Sequence, residues 1–167
     1  MDSHPELEKS LRRRSLRKLL AGLVGLFSLT LLGLAGYATL IEPNRPSVEV
    51  VRVSVANLPA GLQGLRIAHI SDLHITEPGQ REARAAALLN QLQPDLLIVS
   101  GDFIQHTVHL EQQERWARAA GRWLANLTPP ALGIWGSRGN SDISRYGDFN
   151  IAFAQAMEAA GVQLLPN

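Results

Sequence analysis

A chain of 167 residues without a single cysteine can hold no disulfide, no thiolate zinc site and no thiol nucleophile, and its length suits one domain plus whatever its ends add. The formal charge of +1 is unevenly spread. Six of the 16 Lys and Arg residues (Lys9, Arg12, Arg13, Arg14, Arg17 and Lys18) crowd the N-terminal end, and from Glu42 onward 10 basic residues face 12 acidic ones, a balance that argues against a nucleic-acid footprint.

Residues 1–18 read as a basic cytoplasmic tail. Residues 19–41 (LLAGLVGLFSLTLLGLAGYATLI) carry no charge; about 20 helical residues cross a bilayer's hydrocarbon core, so this stretch is a transmembrane helix or signal anchor. Basic residues before it and Glu42 after it predict, by the positive-inside rule, a cytoplasmic N-terminus. The following domain then lies on the outer, periplasmic or extracellular face of the cell membrane. Arg13-Arg14-Ser15-Leu16-Arg17-Lys18 also resembles a twin-arginine export signal, and plain positive-inside charges explain it equally well. Gly36-Tyr37-Ala38 offers a cleavage site, although the long apolar run favours a retained anchor.

Residues 42–47 form a linker, because Pro43 and Pro46 cannot continue a helix. From 48 to 167 the rest of the chain reads as a folded domain. Residues 48–55 (VEVVRVSV) are β-branched and loosely alternating, which predicts a strand. A second strand is expected over 65–70 and a third over 95–100, where DLLIVS has the continuous apolarity of a strand buried on both faces. Short strands are expected over 131–135 and 162–165. Helices are expected over 81–92, 110–127 and 148–160. In the middle one Trp116, Ala119, Ala120, Trp123, Leu124 and Leu127 fall on one stripe. In the last, Ile151, Ala152, Phe153, Ala156 and Met157 form the apolar side. Strands alternating with helices indicate an α/β layer with a largely parallel sheet.

Functional groups in such a sheet gather past the carboxyl ends of the strands. Three polar clusters stand there: Ser71-Asp72-Leu73-His74, Gly101-Asp102 and Gly139-Asn140-Ser141-Asp142. Asp72 and His74, two apart on an extended strand end, would face one metal. Asp102 has two carboxylate oxygens with which to bridge ions, and Asn140 offers an amide oxygen. This His/Asp/Asn set suits Mn²⁺, Fe²⁺ or Zn²⁺. Two such divalent metal ions would clamp a phosphoryl group and activate water between them. No G-x-G-x-x-G or G-x-S-x-G appears, which disfavours a dinucleotide binder and a serine hydrolase. His106 and His109 read as solvated loop residues, His69 as a packed core residue, and His4 lies in the tail.

LRIAHISDLHI, PDLLIVSGDFI and GIWGSRGNSD together resemble the first three sequence blocks of the calcineurin-like metallophosphoesterase superfamily, and most of all its membrane-anchored bacterial branch. The resemblance covers residues 48–167. It implies the N-terminal half of a two-sheet β-sandwich flanked by helices, preceded here by one transmembrane helix, and hydrolysis of phosphomonoesters or diesters. It also implies Asp72 and His74 on a first metal, Asp102 bridging, and Asn140 on a second. Ser141 stands where the family carries a histidine that meets the phosphate or protonates the leaving group, so general-acid help is expected to be lost. The family's later His and Gly-His-x-His block have no counterpart here. The expected protein is therefore a truncated product, a fragment of a longer gene or one subunit of a split phosphoesterase; its partners are the membrane, a phosphate-ester substrate and, for a split enzyme, a second chain supplying the C-terminal half. The alternative is a catalytically inactive remnant, or a membrane-tethered module that binds a metal or a partner. In either case one face of the sheet would lack its covering layer.

Overall fold

The computed structural model describes residues 4–145 and 147–166, with the side chains of 4–11 and 15 excepted. Part of the basic tail expected over 1–18, including the side chain of His4, and the end of the domain at 167 thus lie outside the described residues. The chain divides into two units, Met1–Arg45 and Pro46–Asn167.

The first unit is one helix. Helix α1 (His4–Gly36) runs through a π-helical turn (Tyr37–Ile41) into a 3₁₀ turn (Glu42–Asn44) that carries Pro43. Between Arg12 and Asn44 it is long and apolar enough to cross a bilayer once, and no part of its apolar window is buried. Both threonine hydroxyls of this stretch turn back on the helix: Thr30 Oγ1 donates to Leu26 O at 2.9 Å and Thr39 Oγ1 to Ala35 O at 2.8 Å. These two donors are thereby satisfied within the segment itself, as a lipid environment demands.

The second unit is an α/β domain. Strands β1 (Ile67–Ile70), β2 (Leu96–Ser100), β3 (Ile134–Ser137) and β4 (Val162–Leu164) form one parallel sheet in the order β1-β2-β3-β4. Helices α2 (Gln80–Leu92), α3 (Leu110–Ala125) and α4 (Gly147–Ala159) make the three crossovers. Successive crossovers of the usual right hand, all stepping in one direction, put every helix on one face of the sheet. Burial follows that rule. Leu97, Val99, Ile134 and Val162 are sealed beneath Trp123, Leu124, Phe149, Phe153 and Met157. The alternate residues, pointing the other way, stay open: Ile67 is 53%, Trp135 37% and Leu165 47% exposed. On that face Leu96, Ile98, Trp135 and Leu165 line a shallow apolar hollow of about 280 Å³. The expectation that one sheet face would lack a covering layer holds for the described residues.

Seven of the eight expected elements of this unit occur within a few residues of their predicted bounds, and one does not form. Residues 48–55 join no strand of the sheet, and Val50, Val51 and Val53 are more than 70% exposed. β-propensity reports how a side chain fits a half-buried pleated surface, and no neighbouring strand provides one here. Two side-chain assignments also change. Ile151 is 59% exposed, because α4 buries Phe149, Phe153 and Met157, an i, i+4, i+8 row that turns Ile151 outward. His69 is exposed on the open face, where its Nε2 lies 2.7 Å from Ser100 Oγ; it is not a core residue.

Candidate metal centre

Because all four strands are parallel, the loops after β1, β2 and β3 leave the same edge of the sheet. The first two continue to pair beyond their strands. Asp72 N–H donates to Gly101 O at 3.3 Å, His74 N–H to Asp102 O at 2.9 Å and Ile75 N–H to Phe103 O at 2.9 Å. Ile75, Phe103 and Ile104 are buried beneath, at 1%, 0% and 0% exposure. Apolar anchors thus pin both loops directly below their polar residues.

At this rim Asp72, His74 and Asp102 bring one ligand atom each within 4.8 Å of one another. His74 Nε2 stands 3.8 Å from Asp72 Oδ1 and 3.8 Å from Asp102 Oδ2. Those distances are too long for hydrogen bonds and are those of groups arranged around a shared cation. His74 Nδ1 is buried with no hydrogen-bond partner among the described residues, a loss of about 1–3 kcal/mol for an ordinary side chain. Two carboxylates and an imidazole, held together without bonding one another, fit a divalent ion.

The convergence does not arise from strand alternation, as the D-x-H spacing suggested. Asp72, His74 and Asp102 have φ of 54°, 44° and 51°, the left-handed region that non-glycine residues rarely adopt. Two left-handed kinks, at Asp72 and again at His74, turn both side chains toward Asp102. Such strain persists where surrounding contacts enforce it. One of them is Arg81, whose Nη2 donates to Leu73 O, between the two kinks, at 2.5 Å. Arg81 is in turn held by Glu82 at 2.6 Å. Burial pushes the Glu82 carboxyl up, but the Gly79 amide and the Arg81 guanidinium outweigh it and leave the group below its ordinary range.

The third cluster sits against the second. Ser141 N–H donates to Asp102 Oδ1 at 2.9 Å, leaving Oδ2 to face His74. Asn140 is exposed on the 3₁₀ turn Asn140–Asp142, whereas Ser141 is 2% exposed. His106 and His109 are exposed and outside the cluster. Sequence reasoning passed over Asp142, which is fully buried. Burial pushes its carboxyl above the ordinary range; amides of Gly139, Ile104 and Phe103 oppose the shift, and the nearby Asp102 charge adds to it. An acidic residue two places after a candidate ligand, on a turn between apolar runs, was the available signal.

Comparison with known proteins agrees with this geometry. The family description "Calcineurin-like phosphoesterase" matches residues 65–162. A Danio rerio protein named "Transmembrane protein with metallophosphoesterase domain" is 31% identical over 111 residues, 65% of this chain and 24% of its own length. The "UDP-2,3-diacylglucosamine pyrophosphatase LpxG" of Chlamydia trachomatis is 33% identical over 112 residues, 66% of this chain and 32% of its own. From Bacillus subtilis, the "Uncharacterized metallophosphoesterase YkuE" is 29% identical over 100 residues, 59% of this chain and 35% of its own. The chain thus spans about a quarter to a third of the length of the curated relatives it matches.

Proposed function

The chain belongs to the calcineurin-like phosphoesterase family, and from that premise we propose that it is the metal-binding part of a membrane-tethered hydrolase of phosphomonoesters or diesters. The observation that carries this reading is the triad of Asp72, His74 and Asp102, with ligand atoms within 4.8 Å at the rim of the sheet. These residues would hold a first divalent ion. A second would share Asp102 and take the amide oxygen of Asn140, together with ligands from a further segment or a second chain. Bound ions would polarise the phosphoryl oxygens and raise the nucleophilicity of water between them.

The protein's own groups have separable roles in this proposal. Asp102 is oriented by Ser141 N–H, from which Oδ1 accepts, and Oδ2, 3.8 Å from His74 Nε2, would be the oxygen offered to the ion. His74 would supply an imidazole nitrogen, and Asp72 an exposed carboxylate oxygen. Ser141 occupies the family's histidine position; a hydroxyl is a poor proton donor near neutral pH, so leaving-group protonation falls to solvent. The polar rim and the long apolar helix together support a phosphate ester of the cell envelope as substrate, with the domain on the outer face and the basic N-terminus in the cytoplasm.

The test is Mn²⁺ stoichiometry and bis-p-nitrophenyl phosphate hydrolysis on the full chain in detergent micelles. Metal uptake and turnover that both disappear in Asp102→Ala are expected. Metal uptake without turnover would favour the second reading, a tethered metal-binding module, for which the serine at 141 speaks. No uptake in the wild type would overturn both.

A further inference from the structure

The fully buried carboxylate of Asp142 has no ion-pair partner among the described residues. Burying such a group is costly unless hydrogen bonds compensate it. Its partners are backbone amides from two loops. Oδ1 accepts from Ile104 N–H at 3.2 Å and Oδ2 from Gly139 N–H at 2.9 Å. Phe103 and Ile104 directly follow Asp102, and Gly139 directly precedes Asn140. In return, the Ser141 N–H of the second loop donates to the Asp102 carboxylate of the first at 2.9 Å. The two loops are locked by reciprocal carboxylate–amide pairs, one from each side.

We propose that Asp142 is the positioning residue of the metal centre: its carboxylate clamps the turn after β3 onto the loop after β2 and so fixes where Asp102 and Asn140 stand. The inference rests on the metal-binding reading of the Asp72, His74 and Asp102 triad. Asp142 is not itself a ligand, since both its oxygens are engaged by amides and solvent does not reach it. An aspartate fits because each of its two oxygens can accept from one of the two amides. The isosteric asparagine would turn an NH₂ group toward one of the amides, leaving a buried donor facing a donor.

The experiment is Mn²⁺ titration followed by electron paramagnetic resonance on the full chain in detergent micelles, with thermal melting of each metal-free variant alongside. Asp142→Asn should still melt cooperatively and bind Mn²⁺ about 10–100-fold more weakly, the usual scale for residues that orient metal ligands. Phe149→Leu, a core change on α4, should lower the melting temperature and leave the affinity at the wild-type value. A folded Asp142→Asn chain with wild-type affinity overturns the proposal. So does loss of cooperative melting in that variant, or an equal loss of affinity in Phe149→Leu, because either makes Asp142 a general folding residue. A wild type that takes up Mn²⁺ no better than Asp102→Ala overturns the metal-binding reading itself, a failure distinct from the others.

Discussion

Gly139 and Asp102 touch so closely that a β-carbon on the glycine would fall 2.2 Å from Oδ1 of the aspartate and 2.5 Å from its backbone nitrogen. The φ of Gly139 is −91°, so its backbone is ordinary and the requirement is purely one of space. Gly139→Ala is therefore expected to displace the Asp102 carboxylate and destabilise the domain by about 1–3 kcal/mol. Calorimetric titration with Mn²⁺ should show affinity reduced about tenfold or more; an unchanged dissociation constant would mean the Asp102 loop yields freely.

Ser141 reaches Asp102 through its backbone and not its hydroxyl. Ser141→Ala keeps the N–H and should leave Mn²⁺ affinity within about twofold. Ser141→Pro removes the N–H while remaining compatible with the first turn of a helix, and should weaken binding about tenfold or more. The reverse ranking of the two variants would assign the contact to the hydroxyl.

The pH dependence of stability should carry a Glu82 component. Its carboxyl is held below its ordinary value of 4.5 in the fold, so the folded state favours the ionised form. That contribution is fully present above pH 4.5 and is lost as pH falls through the folded value. The melting temperature of the wild type should exceed that of Glu82→Gln at neutral pH, and the gap should close on acidification below about 4.5. A gap that stays constant from pH 7 to 3 would show that shape, not charge, explains the residue.

Topology can be read cleanly because the chain has no native cysteine. Ser54→Cys, on the exposed segment before the domain, should react with a membrane-impermeant maleimide on intact cells. Ser10→Cys, in the basic flank, should react only after lysis. The opposite labelling pattern would place the domain in the cytoplasm and reverse the proposed orientation.

The helices and buried strands were legible because their signals are local: DLLIVS is a strand by its own apolarity, and the α3 stripe declares its inward side. Residues 48–55 misled because strand formation needs a neighbour, and β-branched composition does not provide one. The triad Asp72, His74 and Asp102 was also legible, since a parallel sheet sends each strand-end cluster to one rim. How it converges was not. Left-handed φ at three non-glycine residues is imposed by Ile75, Phe103, Ile104 and Arg81, contacts that no short spacing encodes. Asp142 escaped for the same reason: one of its donors, Ile104, lies far back in the chain and becomes a neighbour only when β2 and β3 pair.

The sequential strand order has a consequence for how the domain comes into being. Each strand pairs with the one made just before it or just after it, so among the described residues no pairing skips an intervening strand. Each pairing joins strands separated by a single α-helix, so it closes one crossover and no longer loop. Synthesised from the N-terminus, the sheet can grow one βα unit at a time, and Asp72, His74 and Asp102 meet once β2 has docked. The Asp142 clamp closes last of these, as β3 emerges, so the rim is assembled first and locked afterwards.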